Sequence, residues 1–221
     1  MPTLAEVIQL VQAREAETGR RIGLYPELKH PIYFEALGHD VAATLVEQLH
    51  AAGYRGEDAP VFIQSFEVGV LERLNDMTDL RLVQLVAPVG GPFDRQDVTY
   101  PEMLGIDGLM TIARYADGIG AAIPMLLTEQ GTSTGLTERA QSEGLVVHAW
   151  TARKENAFLP EPLRSSARPS DDGNLSTLIV ILAASGVDGV FTDDPSVARA
   201  ILPQDGTENL LHTIMTTDTK R

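Results

Sequence analysis

Glu27 and Lys29 are the pair in this sequence best placed to do chemistry. They lie in Ile22-Gly23-Leu24-Tyr25-Pro26-Glu27-Leu28-Lys29-His30-Pro31. The stretch alternates apolar with other residues, as a half-buried strand does. A period of two puts Tyr25, Glu27 and Lys29 on one face and Leu24, Pro26 and Leu28 on the other. The strand then ends with a carboxylate beside an ammonium, just before Pro31 stops regular pairing. A lone buried charge is costly, and a buried pair still needs a partner such as a metal ion or a phosphate. On spacing alone, a solvent-facing ion pair is equally consistent.

Sites in parallel α/β folds form at the carboxyl ends of strands. The last inward residues of the other strands are therefore the next candidates: Gln64 and Phe66, Gln84, Gly120, His148 and Trp150, and Thr192 with Asp193. Together they could hold a cation, an anionic group and an apolar body. Each also has a structural reading. The two glutamines can satisfy backbone groups, and Phe66 and Trp150 can be core. His148 can be a satisfied core histidine, and Asp193-Asp194-Pro195 reads as a helix cap. No nucleophile elbow, phosphate-cradling glycine loop, zinc-type histidine pair or tight carboxylate cluster occurs.

The elements that must position these residues alternate helix and strand. A helix over about Thr3–Thr18 opens on the capping box Thr3-Leu4-Ala5-Glu6, with Leu4, Val7, Ile8 and Val11 on one face and Gly19 closing it. The strand at Tyr25–Lys29 follows, then a Pro31–Gly38 connection and a helix from about Asp40 to Ala52. Strands are expected at 60–66, 80–86 and 145–151, a shorter one near 117–121, and one over 186–193. Helices fall near 67–75, 104–115, 136–142, 175–184 and 196–201. Residues 87–104 read as a loop, and 153–174 as a lid or mobile excursion carrying Arg153, Lys154, Arg164 and Arg168. From Pro203 a polar tail follows, in which Leu210, Leu211, Ile214 and Met215 could form a docking turn. Strands such as Leu82–Val86 are almost continuously apolar, so both their faces should be buried, as in a parallel sheet flanked by helices. About six strand–helix units are visible, against the eight of a closed (β/α)8 barrel of the TIM type.

Composition narrows the function classes. The 221 residues carry a formal net charge of −14, which argues against binding nucleic acid or anionic membranes through charge. There are no cysteines, which excludes disulfides, thiolate metal sites and a cysteine nucleophile. No apolar run is long enough to span a bilayer. No signal peptide is visible in the chain, and localisation stays open. An opening on a crossover helix suggests that further chain precedes Met1.

In order along the chain, six segments resemble the glycerophosphodiester phosphodiesterase family. They are Ile22–Pro31 with its Tyr-Pro-Glu-x-Lys pattern, Phe62–Glu67, Leu82–Leu85, Tyr115–Gly120, Val146–Arg153 and Gly186–Pro195. The resemblance implies a (β/α)8 barrel, here incomplete, with its first two strand–helix units missing. It implies hydrolysis of a small-molecule glycerophosphodiester to glycerol 3-phosphate and an alcohol with a divalent cation, Ca2+ or Mg2+. By position it makes Glu27 a metal ligand, Lys29 a phosphate-side cation, Gln64 support for the site, and Phe66 and Trp150 walls around glycerol or alcohol.

The family's His-Arg-Gly and Glu-x-Asp motifs do not occur here, and the one His-Asp dipeptide, His39-Asp40, follows the Tyr-Pro-Glu-x-Lys strand instead of preceding it, so no catalytic histidine pair is expected in this chain. The expectation is the C-terminal part of such an enzyme. The alternatives are a non-catalytic module associating through exposed sheet edges, or a related phosphodiesterase acting on lysophospholipids.

Overall fold

The computed structural model describes residues 2–202. The tail from Pro203, with its expected docking turn, lies outside the described residues. The chain divides into two compact units, Met1–Ile119 and Gly120–Arg221.

The first unit opens on α1 (Leu4–Thr18). Its capping box forms as expected: Glu6 accepts from the Thr3 backbone N–H at 2.7 Å, and Thr3 Oγ1 accepts from the Glu6 N–H at 3.3 Å. Gly19 closes the helix in the left-handed region, at φ 67°, where a side chain would be strained. Leu4, Val7, Ile8 and Val11 are the sheltered positions of this helix's first turns, the face that its periodicity marks. The expected Pro31–Gly38 connection is instead a short helix, α2 (Pro31–Ala36), with Pro31 at its first position. A proline there loses no hydrogen bond, since that N–H has no helical acceptor. In α3 (Val41–Ala51), Asp40 caps the start by accepting from the Ala43 N–H at 2.9 Å, and Ala42, Leu45, Val46 and Leu49 are buried.

Next come β1 (Phe62–Ser65), α4 (Val68–Met77) and β2 (Arg81–Val86). β1 and β2 are parallel, in a register from Phe62 against Arg81 to Ser65 against Gln84. The long loop after β2 ends in a second capping box, Thr99 with Glu102, which starts α5 (Tyr100–Met103). Then come α6 (Ile106–Ile112) and β3 (Gly118–Ala122), the strand in which the division between the units falls.

The 24–28 stretch runs parallel to β1, with bridges Leu24–Val61 and Glu27–Gln64. Four ladder bonds hold it: Leu24 N–H to Pro60 O, Phe62 N–H to Leu24 O, Gln64 N–H to Pro26 O, and Leu28 N–H to Gln64 O, at 2.8–3.0 Å. The missing rung is the one that Pro26 would donate, because proline has no N–H. The expected strand is therefore present, broken into two bridges.

The second unit continues from β3 into α7 (Ile123–Leu126), α8 (Leu136–Ser142) and β4 (Val146–Ala152). It ends with α9 (Leu175–Ala184), β5 (Gly189–Thr192) and α10 (Pro195–Ile201). β4 and β5 are parallel, with an irregularity between Ala149 and Ala152. Residues between β4 and α9 hold two short 3-10 turns around Asn156, which is 2% exposed.

One device recurs in both units. Asp117 donates its N–H to Leu82 O and accepts from the Leu82 N–H at 2.7 Å. Asp188 does the same with Val147, accepting at 2.8 Å. Each Asp precedes the Gly that opens a strand, so these acids fix strand register. Among the described residues no helix is long and apolar enough to cross a membrane.

Candidate active site

The ladder sets Glu27 opposite Gln64. Lys29 Nζ lies 3.6 Å from Glu27 Oε2, so both side chains project to the same side, as the period-two reading requires. Their environments differ: the Glu27 side chain is 24% exposed and that of Lys29 71%. The ammonium stands in solvent over a sheltered carboxylate, so the pair belongs at an opening and not in a core.

Toward the start of the same two segments, Tyr25 stacks on Phe62 with ring centres 5.3 Å apart, and the Arg81 guanidinium sits 3.9 Å from the Phe62 ring centre. Burial pushes the Tyr25 phenol up, and Arg81 opposes that push. Gln64 is 7% exposed, and its Oε1 is buried with no hydrogen-bond partner. An orphaned amide oxygen is costly, so it marks a place where a donor or a cation is wanted. Glu27, Lys29 and Gln64 are thus brought together. Phe66 follows at the end of β1 and meets Tyr100 edge-on, with ring centres 5.8 Å apart.

Gln84 does not join them. It is fully buried, and its amide N–H groups reach the Phe66 and Leu85 carbonyls at 3.2 and 2.9 Å. Its Oε1 accepts from Tyr115 Oη at 3.0 Å. The structural reading of this glutamine holds, and its expected place among the mouth residues is corrected. β2 is apolar on both faces, so its sequence carries no sign of which way Gln84 points.

In the second unit, Trp150 donates its indole N–H to Gly120 O at 2.9 Å and is half-buried. His148 is 7% exposed and packs on Gly189, where an added Cβ would meet its ring at 2.7 Å. Asp193 pairs with Arg153 Nε at 2.9 Å, and no side-chain bond caps α10, so the expected Asp cap is corrected to an ion pair.

The sequence reading gave no role to Glu67. It is 4% exposed and accepts from the Ile32 N–H at 3.1 Å. Burial raises its pKa, and nearby Asp94 adds to the rise. Asp94 in turn accepts from the Val68 and Gly69 N–H groups at the start of α4, at 3.1 and 2.6 Å. The position of Glu67, just past the end of β1, was the available signal. Asp94 lies in a long loop and gave none.

Could these residues hold a divalent cation? Among the described residues, no group of three or more His, Asp or Glu side chains could enclose one. Ca2+ takes roughly six to eight oxygen ligands, whereas Mg2+ is often held by one or two carboxylates, waters and a substrate phosphate. Glu27 with the unsatisfied Gln64 oxygen suits a cation shared with a bound phosphate, and does not make an all-protein cage.

Comparison with known proteins adds the rest. The model of the glycerophosphoryl diester phosphodiesterase family matches residues 1–197. A glycerophosphodiester phosphodiesterase of Haemophilus influenzae is 28% identical, over 90% of this chain and 58% of its own length. One of Arabidopsis thaliana is 33% identical, over 79% of this chain and 49% of its own length. The chain thus spans about half to three-fifths of the length of these relatives. A crystal structure from Agrobacterium tumefaciens, assigned as a glycerophosphoryl diester phosphodiesterase, superposes with a TM-score of 0.56 at 18% identity, over 97% of this chain and 65% of that one. That likeness concerns the fold, a parallel α/β architecture of the expected kind.

Proposed function

This chain belongs to the glycerophosphoryl diester phosphodiesterase family, and we propose that it serves the hydrolysis of glycerophosphodiesters to glycerol 3-phosphate and an alcohol. The observation that carries this reading is the sheltered Glu27 carboxylate, 3.6 Å from the exposed Lys29 ammonium and opposite the orphaned Gln64 oxygen. Glu27 supplies one oxygen ligand to a divalent cation, Ca2+ or Mg2+, and Lys29 draws the phosphate oxygens to the same opening. When bound, such a cation neutralises phosphate charge as the leaving alkoxide develops. Gln64 supports the bound group, and Phe66 gives an apolar wall. Trp150 is assigned a wall around glycerol or alcohol on its match to the family pattern alone.

The described residues supply no paired acid and base at Glu27. A missing proton-transfer group costs roughly 10²–10⁴ in rate. The His-Arg-Gly and Glu-x-Asp motifs of the family are not in this sequence, so no residue of it is assigned those roles. Release of glycerol 3-phosphate from glycerophosphocholine, with Mg2+ or Ca2+, is the test. It is run on the chain alone and on the chain completed with those motifs. Turnover by the completed protein that Glu27→Gln abolishes supports the reading. Full activity of Glu27→Gln would overturn it. Turnover of lysophosphatidylcholine but not of glycerophosphocholine would move the substrate to lysophospholipids.

A further inference from the structure

The inference rests on the phosphodiesterase reading of the Glu27–Lys29 face and concerns what holds Lys29 in place there. We infer that Ser65 and Glu67 are positioning residues for Lys29, acting through a clasp of side-chain hydrogen bonds that links the turn after Lys29 to the end of β1.

The clasp takes over from the backbone ladder. The ladder carries the pairing to Leu28, whose N–H donates to Gln64 O at 2.9 Å. Ser65 Oγ donates to Leu28 O at 2.9 Å and accepts from the Glu67 N–H at 3.2 Å. Glu67 Oε2 accepts in turn from the Ile32 N–H at 3.1 Å. Ser65 is 0% and Glu67 4% exposed, so water competes little for these bonds. The two anchor points bracket Lys29. Leu28 O belongs to the peptide that joins Leu28 to Lys29, and Ile32 lies just beyond, in the first turn of α2.

The turn needs such a tie. His30 sits at φ 51°, in the left-handed region, which a residue other than glycine keeps only where its surroundings impose it. His30 also gives α2 no side-chain cap. Pro31 has no N–H, so Ile32 carries the first donor of the helix that wants an acceptor. Glu67 supplies it from 35 positions away. A local cap at position 30 would satisfy the helix equally well, but would not tie it to β1.

The consequence falls on Lys29. Its side chain is 71% exposed, so packing does little to hold it, and its Nζ keeps its place 3.6 Å from Glu27 Oε2 through the backbone that carries it. Releasing Leu28 O and the Ile32 N–H lets that backbone pivot. A misplacement of about 1 Å in a reacting or charge-bearing group can cost roughly 10²-fold in rate.

The test compares the whole chain with Ser65→Ala, Glu67→Ala and Glu67→Gln. Both changes at position 67 remove one negative charge, but only glutamine keeps an oxygen for the Ile32 N–H. Two readouts are taken by NMR: the order parameter of the Lys29 backbone amide, and the affinity for inorganic phosphate with Mg2+, followed by the shift of that amide. Ser65→Ala and Glu67→Ala should lower the order parameter from about 0.85 to below about 0.6. They should also weaken phosphate binding at least about tenfold. Glu67→Gln should keep the order and bind phosphate no more weakly than the parent. A purely structural role would lower the melting temperature and leave Lys29 order and phosphate affinity unchanged. A charge effect would move Glu67→Ala and Glu67→Gln alike. Either result overturns the inference. A parent chain that binds no phosphate would sink the phosphodiesterase reading, while the order of Lys29 would still decide the clasp, so the two failures are separable.

Discussion

Glu27 and Gln64 face each other across a parallel pairing, one with its carboxylate toward Lys29 and the other with a buried amide oxygen that has no partner. A group left unsatisfied in this way costs about 1–3 kcal/mol. Gln64→Met keeps the length of the side chain and removes the orphan. The expected outcome is a protein as stable as the parent or more so in urea denaturation, with a weaker Mg2+- and phosphate-dependent rise in melting temperature. A clear loss of stability would mean that the oxygen is satisfied in solution, and would remove Gln64 from the site.

Glu67 gives a pH dependence of known sign. Its pKa is raised in the folded protein, first by burial, so the native state binds its proton more tightly than the unfolded chain does. Stability contributed by this group therefore falls as pH rises from below its ordinary value of 4.5. Glu67→Gln should raise the melting temperature at neutral pH, and the gain should vanish below that value. Thermal melts of both proteins from pH 4 to 8 check this, and a gain that grows toward acid pH would contradict it.

Tyr115 and Gln84 make a buried pair away from the candidate site, with Oη donating to Oε1 at 3.0 Å. Tyr115→Phe leaves that amide oxygen without this donor, and is expected to cost about 1–3 kcal/mol in chemical denaturation. Metal- and phosphate-dependent stabilisation should be unchanged. A selective loss of ligand response would return Gln84 to the site.

These cases show what the amino-acid pattern could and could not reveal. Tyr25, Glu27 and Lys29 alternate with apolar neighbours, so their shared face was readable, as were the Thr3–Glu6 box and the Gly19 stop. β2 is apolar throughout, and nothing local distinguishes the side on which Gln84 lies. The sequence predicts a connection where α2 forms, because Pro31 reads as a terminator, although a proline fits the first helical position equally well. Glu67 and Asp94 are 27 positions apart by number, and only the fold brings their charges near each other. Asp193 looked like a cap because Pro195 follows closely. Its ion pair depends on Arg153, which arrives from the end of β4.

Asn156 decides whether the 153–174 segment behaves as a fixed structure. Its Nδ2 donates to the Ser166 and Arg168 carbonyls, both at 3.0 Å, and its Oδ1 accepts from the Ser165 N–H at 3.0 Å. Gly173 packs against the same side chain, where an added Cβ would come within 2.7 Å of Oδ1. One buried amide therefore ties the two halves of this excursion together. Asn156→Ala removes these bonds and leaves two carbonyls and an N–H to find water, at a cost of about 2–4 kcal/mol. Limited proteolysis should cut the variant between residues 159 and 173 while β4 and α9 stay protected. Unchanged protection of that segment would show that it is held by other contacts, such as the Lys154–Asp172 ion pair at 3.0 Å.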